Sequence, residues 1–170
     1  MELLHSLIDF VLHIDQHLTA LVSEYGTLTY FILFAIIFCE TGLVVTPILP
    51  GDSMLFAAGA IASLDGSGLN VVLLAVLLVI AAFSGNMVNY SIGRYIGPKV
   101  FERDYRFIKR DYLDRTKKFF DQYGAMTIIY TRFAPILRTF APFVAGVGQM
   151  NYGRFTLFNF IGGFLWVVLF

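Results

Sequence analysis

Residues 39 to 60 read Cys39-Glu-Thr-Gly-Leu-Val-Val-Thr-Pro-Ile-Leu-Pro-Gly-Asp-Ser-Met-Leu-Phe-Ala-Ala-Gly-Ala60, two carboxylates, two prolines and a Pro-Gly step inside some of the most apolar sequence of the chain. The flanking runs, 28–38 and 54–62, are apolar enough to lie in lipid, yet Pro47 and Pro50-Gly51 forbid one continuous helix between them. At roughly 1.5 Å per residue a helix over 28–46 reaches about 28 Å and one over 53–64 only about 18 Å. The second is too short for a hydrocarbon core about 30 Å thick, so 27–64 is predicted to be a re-entrant hairpin. Non-helical backbone at membrane depth is tolerated only where protein buries it or it lines a wet cavity, and paired broken segments of this kind mark midplane sites in transporters. Glu40 and Asp52 are therefore the residues to explain, since a charge at that depth costs about 2.5 to 3.5 kcal/mol on insertion scales. Asp52 or Ser53 also suits a plain helix cap.

Composition agrees with a multi-pass membrane protein: of 170 residues 58% are hydrophobic, 14% are charged, and the formal charges cancel. Basic residues crowd into the connection 98–122, which is expected to face the cytoplasm and to rest against anionic lipid heads. Its excess of positive charge is too small, and too closely tied to the membrane, to favour nucleic acid as a partner. Cys39 is the single cysteine, so no intrachain disulfide or Cys-x-x-Cys site exists.

Upstream, residues 1–26 place leucines, isoleucine and valines on one side of a helix and Glu2, His5, Asp9, His13, Gln16 and His17 on the other. With neither a basic leader nor a small-residue cleavage site, this is predicted to be an amphipathic helix lying on the membrane. His13 and His17 have an i, i+4 spacing that a metal uses, but a solvated polar face explains them, and no metal or other cofactor is expected.

Downstream, 69–97 predicts a spanning helix of roughly 43 Å. Asn86, Asn89, Tyr90 and Gly93 share one face of it, and Ala81 with Gly85 and Gly93 with Gly97 are small-xxx-small pairs suited to close helix packing. Arg94 is expected to snorkel to the surface. The opening pattern then returns over 123–150: an apolar run to Arg132, interruptions at Pro135 and Pro142, and a second apolar run, with Pro135-Ile-Leu echoing Pro47-Ile-Leu. This predicts a second re-entrant hairpin, followed by the start of another spanning helix over 152–170. The fold class expected is an all-α polytopic membrane protein, a single domain built as an inverted repeat of hairpin plus spanning helix.

The first hairpin brings Glu40 and Asp52, and the second brings Arg132 and Arg138. Left unpaired, four such charges would cost roughly 10 to 14 kcal/mol, so they are expected to meet. Arginine's planar fork pairs equally with carboxylate or phosphate, which makes Arg132, Arg138, Glu40 and Asp52 the candidate substrate-binding residues and the two acids the candidate proton carriers.

Glu-x-Gly with Pro-x-x-Pro-Gly-Asp at 40–52, Gly-Asn-x-x-x-Tyr-x-x-Gly-Arg at 85–94 and Arg-Phe-x-Pro-x-x-Arg-x-x-x-Pro-x-x-x-Gly at 132–146 together resemble the bacterial DedA family. The resemblance implies a multi-pass inner-membrane protein with two re-entrant hairpins, linked to moving polyprenyl phosphate or phospholipid across the bilayer and to proton-dependent membrane homeostasis. It assigns functional weight to Glu40, Asp52, Arg132 and Arg138. Asn86 stands where relatives often carry Asp, and relatives continue through further membrane segments beyond Phe170.

The expected function is a lipid translocase, not an enzyme: every histidine precedes residue 20, and no Gly-x-Ser-x-Gly, Walker A or His-Glu-x-x-His pattern occurs. The alternative is a proton-coupled exporter of small cations or drugs, whose mark would be an acid lacking an arginine partner. A membrane lipid is the expected partner, protons are the candidate coupling ion, and a homo-oligomer is left open.

Overall fold

The computed structural model describes residues 22, 24–43, 51–64, 67–102, 120 and 122–170. The amphipathic helix expected over 1–26, most of the basic connection 98–122, and the breaks at Pro47 and Pro50 lie outside them, wholly or in the main. Every described element is a helix: α1 (Leu28–Gly42), α2 (Gly51–Ala62), α3 (Val71–Glu102), a short α4 (Thr127–Tyr130) flanked by 3₁₀ turns at Gly124–Met126 and Thr131–Phe133, α5 (Pro135–Val147) and α6 (Tyr152–Leu169).

Two helices are long and apolar enough to cross a membrane, Val71–Gly97 within α3 and Tyr152–Leu169. Both begin on an asparagine whose side chain accepts from the third helical N–H: Asn70 Oδ1 from Leu73 N at 3.0 Å, and Asn151 Oδ1 from Arg154 N at 3.1 Å. By contrast α1, α2 and α5 reach roughly 22, 18 and 20 Å, short of a hydrocarbon core.

α3 is the central post, packed chiefly against α5 and α1 and also against α6. Glycine sets these approaches. A Cβ at Gly93 would overlap the backbone of Phe143, one at Gly146 the backbone of Tyr90, and one at Gly85 the Thr41 hydroxyl. Without side chains at these points the backbones close to contact, as the small-residue pairs predicted. The polar face of α3 is spent on the same packing: Asn89 Nδ2 donates to Thr41 O (3.1 Å) and Thr139 O (2.8 Å), and Tyr90 donates to Met150 O at 2.5 Å while stacking on Phe155 with centroids 4.2 Å apart. Arg94 is exposed and donates to the Tyr90 hydroxyl.

Among the described residues, charged and amide side chains are buried beside an apolar core, and many large apolar side chains face outward. Glu40, Arg132, Arg138, Asn86, Asn89 and Asn159 are buried, whereas Val72, Val76, Ile80, Phe160, Phe164 and Val168 are exposed. Hydroxyls in the helices bond back within their own helix, Thr41 to Ile37 O, Ser84 to Ile80 O and Thr131 to Thr127 O. Such bonds meet the hydroxyl's need for a partner without water, as lipid requires, although the buried Thr127 hydroxyl has none.

One expectation is corrected. Pro142, expected as a break between the two apolar runs, does not interrupt the helix; it lies inside α5, which continues to Val147. Proline removes one donor, leaving the Arg138 carbonyl without its i+4 partner, but α5 is tied to α3 on both sides of it, by Asn89 donating to Thr139 O before and by the close approach of Gly146 to Tyr90 after. The actual break comes earlier, where Ala134 is extended (φ −109°, ψ 112°) and Pro135 opens α5, a position at which a missing N–H costs nothing.

Candidate functional site

The charged residues all stand beside chain breaks. Glu40 is in the last turn of α1, Asp52 is the second residue of α2 and is not its cap, Arg132 is in the 3₁₀ turn before Ala134, and Arg138 is the fourth residue of α5. Arg138 spans the gap between the two halves: its Nη2 donates to Glu40 Oε1 at 2.5 Å and its Nη1 to Asp52 Oδ1 at 2.6 Å. Glu40 and Arg138 are 1% and 5% exposed, while the Asp52 side chain keeps 30% of its surface. The pair is thus desolvated at one carboxylate and partly open at the other.

Arg132 departs from the expected pairing of two acids with two bases. It is 2% exposed, yet no carboxylate meets it among the described residues. Its Nη1 donates to Asn159 Oδ1 (2.9 Å) and Asn159 O (3.3 Å) instead. Asn159 is itself held on two further sides: Oδ1 accepts from Asn86 Nδ2 at 2.9 Å and Nδ2 donates to Phe83 O at 3.0 Å. Arg132 Nη2 has no hydrogen-bond partner. Three charges therefore cluster, and the fourth is met by an amide and an aromatic ring of α6 instead.

The aromatic face is Trp166. Its Nε1 donates to Asp52 Oδ1 at 2.8 Å, and its ring centroid lies 5.1 Å from Arg138 Cζ and 5.7 Å from Arg132 Cζ, within cation–π range of both. Asn159 and Trp166 are site residues that sequence reasoning missed. The signal was there in the spacing of Asn159, Gly162, Gly163 and Trp166, which puts an amide, two glycines and an indole on one face of an otherwise lipid-like helix.

Chemically the arrangement joins a carboxylate–guanidinium–carboxylate bridge to a second guanidinium with a free donor. Arg138 already bridges two carboxylates through Nη1 and Nη2, with its Nε left unpaired; Arg132 is a buried cation with no carboxylate beside it among the described residues.

Residues 49–170 match the VTT domain. The chain is 57% identical to the protein DedA of Escherichia coli K12 over its full length and 78% of that protein. It is 34% identical to the inner membrane protein YqjA of the same organism, with 99% of the chain and 76% of YqjA covered. Uncharacterized membrane protein Rv0364 of Mycobacterium tuberculosis H37Rv is 42% identical over 79% of the chain and 59% of its own length. No solved structure matches. With an outward apolar surface, buried charges at paired chain breaks and these relatives, the chain belongs to the DedA family of membrane proteins, whose shared unit is the VTT domain.

Proposed function

We propose that the chain is a multi-pass protein of the bacterial inner membrane that moves a phosphate-bearing lipid, a polyprenyl phosphate or a phospholipid, from one leaflet to the other. In this reading α1–α2 and residues 123–150 are re-entrant hairpins of an inverted repeat about α3, and their meeting point holds the headgroup while the apolar tail stays in lipid. No bond is broken. The observation that carries the reading is a buried arginine without a carboxylate partner among the described residues, Arg132, beside a carboxylate–guanidinium–carboxylate bridge.

The exporter alternative asks for an acid free of arginine. Both Glu40 and Asp52 contact Arg138, which favours the lipid reading. The test is a reconstituted flip assay that compares polyprenyl phosphate with phosphatidylethanolamine at two pH values. Movement of either lipid above protein-free vesicles, lost on Arg132→Gln, is the expected result; export of cations with no lipid movement would reverse the choice.

A further inference from the structure

Asn159, Gly162, Gly163 and Trp166 form one buried stripe on α6, and Arg132 lies along it. A Cβ placed on Gly163 would stand 3.4 Å from Arg132 Nη2, 3.5 Å from Cζ and 3.5 Å from Nη1. Such near-equal distances mean that the guanidinium lies flat over the glycine. At Gly162 the same atom would stand 3.6 Å from Arg132 Cδ, so the stem of the side chain runs over the preceding glycine. Asn159 takes Nη1 at one end of this cradle and the Trp166 ring covers Cζ at 5.7 Å. Nη2 is buried and unsatisfied, a state that costs free energy until an acceptor arrives.

Trp166 acts on the other half of the site at the same time. By donating to Asp52 it shares the oxygen that Arg138 Nη1 uses, and both carboxylates are held on the Arg138 side. We infer that α6 divides the two arginines between two tasks: Arg138 is bound to Glu40 and Asp52, while Arg132 is the receptor for a phosphate monoester oxygen, with Asn159 and Trp166 as positioning residues that keep it away from those acids. The inference rests on the proposed transport function and names the headgroup contact within it. Phosphate suits the receptor because its oxygens match the guanidinium fork; a lipid headgroup and free phosphate share that chemistry.

Trp166 is the single tryptophan, so its emission reports on the cradle directly. The full chain in nanodiscs of neutral lipid is titrated with polyprenyl phosphate, with the corresponding polyprenol, and with inorganic phosphate. A saturable change in emission is expected with polyprenyl phosphate and none with polyprenol; an equal response to inorganic phosphate supports the same site and assigns it to the free ion. Arg132→Gln abolishes the response. Arg132→Lys, which keeps the charge but loses the fork, and Asn159→Asp, which places a carboxylate on Nη1, each weaken it by about tenfold or more, whereas Arg154→Gln, an exposed position outside the cradle, leaves it within about threefold. Thermal unfolding of each variant separates lost binding from lost fold. A response that survives in Arg132→Gln and disappears in Arg138→Lys overturns the division, and so does wild-type affinity in Asn159→Asp or an equal response to polyprenol. A protein that flips polyprenyl phosphate without any emission change overturns the receptor alone. One that does neither overturns the transport reading with it.

Discussion

Arg138 Nη2 donates to Glu40 Oε1 at 2.5 Å across 98 positions of sequence, and each partner sits near the helix end that disfavours its own charge. Glu40 lies at the negative C-terminal end of α1, and Arg138 lies near the positive N-terminal end of α5. Asp52 at the start of α2 and Arg132 at the end of the 3₁₀ turn have the favourable arrangement. The two residues that gain least from their own backbone are thus the two that are buried against each other, and neither is comfortable alone.

That relationship sets the first prediction. Arg138→Gln removes the cation from two carboxylates and should lower stability by about 3 to 5 kcal/mol, the usual cost of breaking a buried pair. Asp52→Asn should cost less, since that side chain is 30% exposed. The double variant Glu40→Gln with Arg138→Gln should unfold closer to the wild type than Arg138→Gln does, because no desolvated charge is stranded, and it should still fail to flip lipid. Unfolding in detergent and flipping in vesicles, measured on the same preparations, give both answers; recovered flipping in the double variant would make the pair purely structural.

Glycine substitutions should rank by what their Cβ meets. Gly146→Ala and Gly93→Ala drive a methyl into backbone and are expected to cost about 1 to 3 kcal/mol, while Gly59→Ala meets only Phe170 O at 3.8 Å. That last change should be neutral or slightly stabilising, since alanine is the better helix former. Melting temperatures in the reverse order would mean that α3 and α5 do not pack through these glycines.

Asn89→Leu should destabilise by about 1 to 3 kcal/mol, the cost of leaving buried acceptors unmet. Its amide joins α3 to Thr41 O of α1 and Thr139 O of α5, so amide exchange should rise in both α1 and α5. Faster exchange confined to α3 would contradict a bridging role.

Pro142→Ala should leave the fold intact and the melting temperature equal or higher, because Pro142 lies within a continuous helix and its replacement supplies a donor for the Arg138 carbonyl. A folded protein with a markedly lowered melting point would show instead that the proline is needed as a break.

The sequence by itself determined that this is a helical membrane protein with charges at paired chain breaks. Proline and glycine act on the backbone wherever they stand, and a carboxylate or guanidinium in apolar sequence carries its desolvation cost with it, so Glu40, Asp52, Arg132 and Arg138 stood out before any contact was known. The asparagine face of α3 and its glycine pairs were legible for the same reason, through helical periodicity alone. Which acid meets which arginine was decided only by the tertiary structure, since the contacts join positions 86 and 98 residues apart and local chemistry does not distinguish one carboxylate from the other. Asn159 and Trp166 were overlooked because an amide and an indole are cheap enough in a spanning helix to pass as packing or as an interfacial anchor; their meaning appears only when α6 is laid against Arg132. Pro142 was misread because a proline's local cost was taken as final, whereas α5 is tied to α3 on both sides of it, through Thr139 and through Gly146.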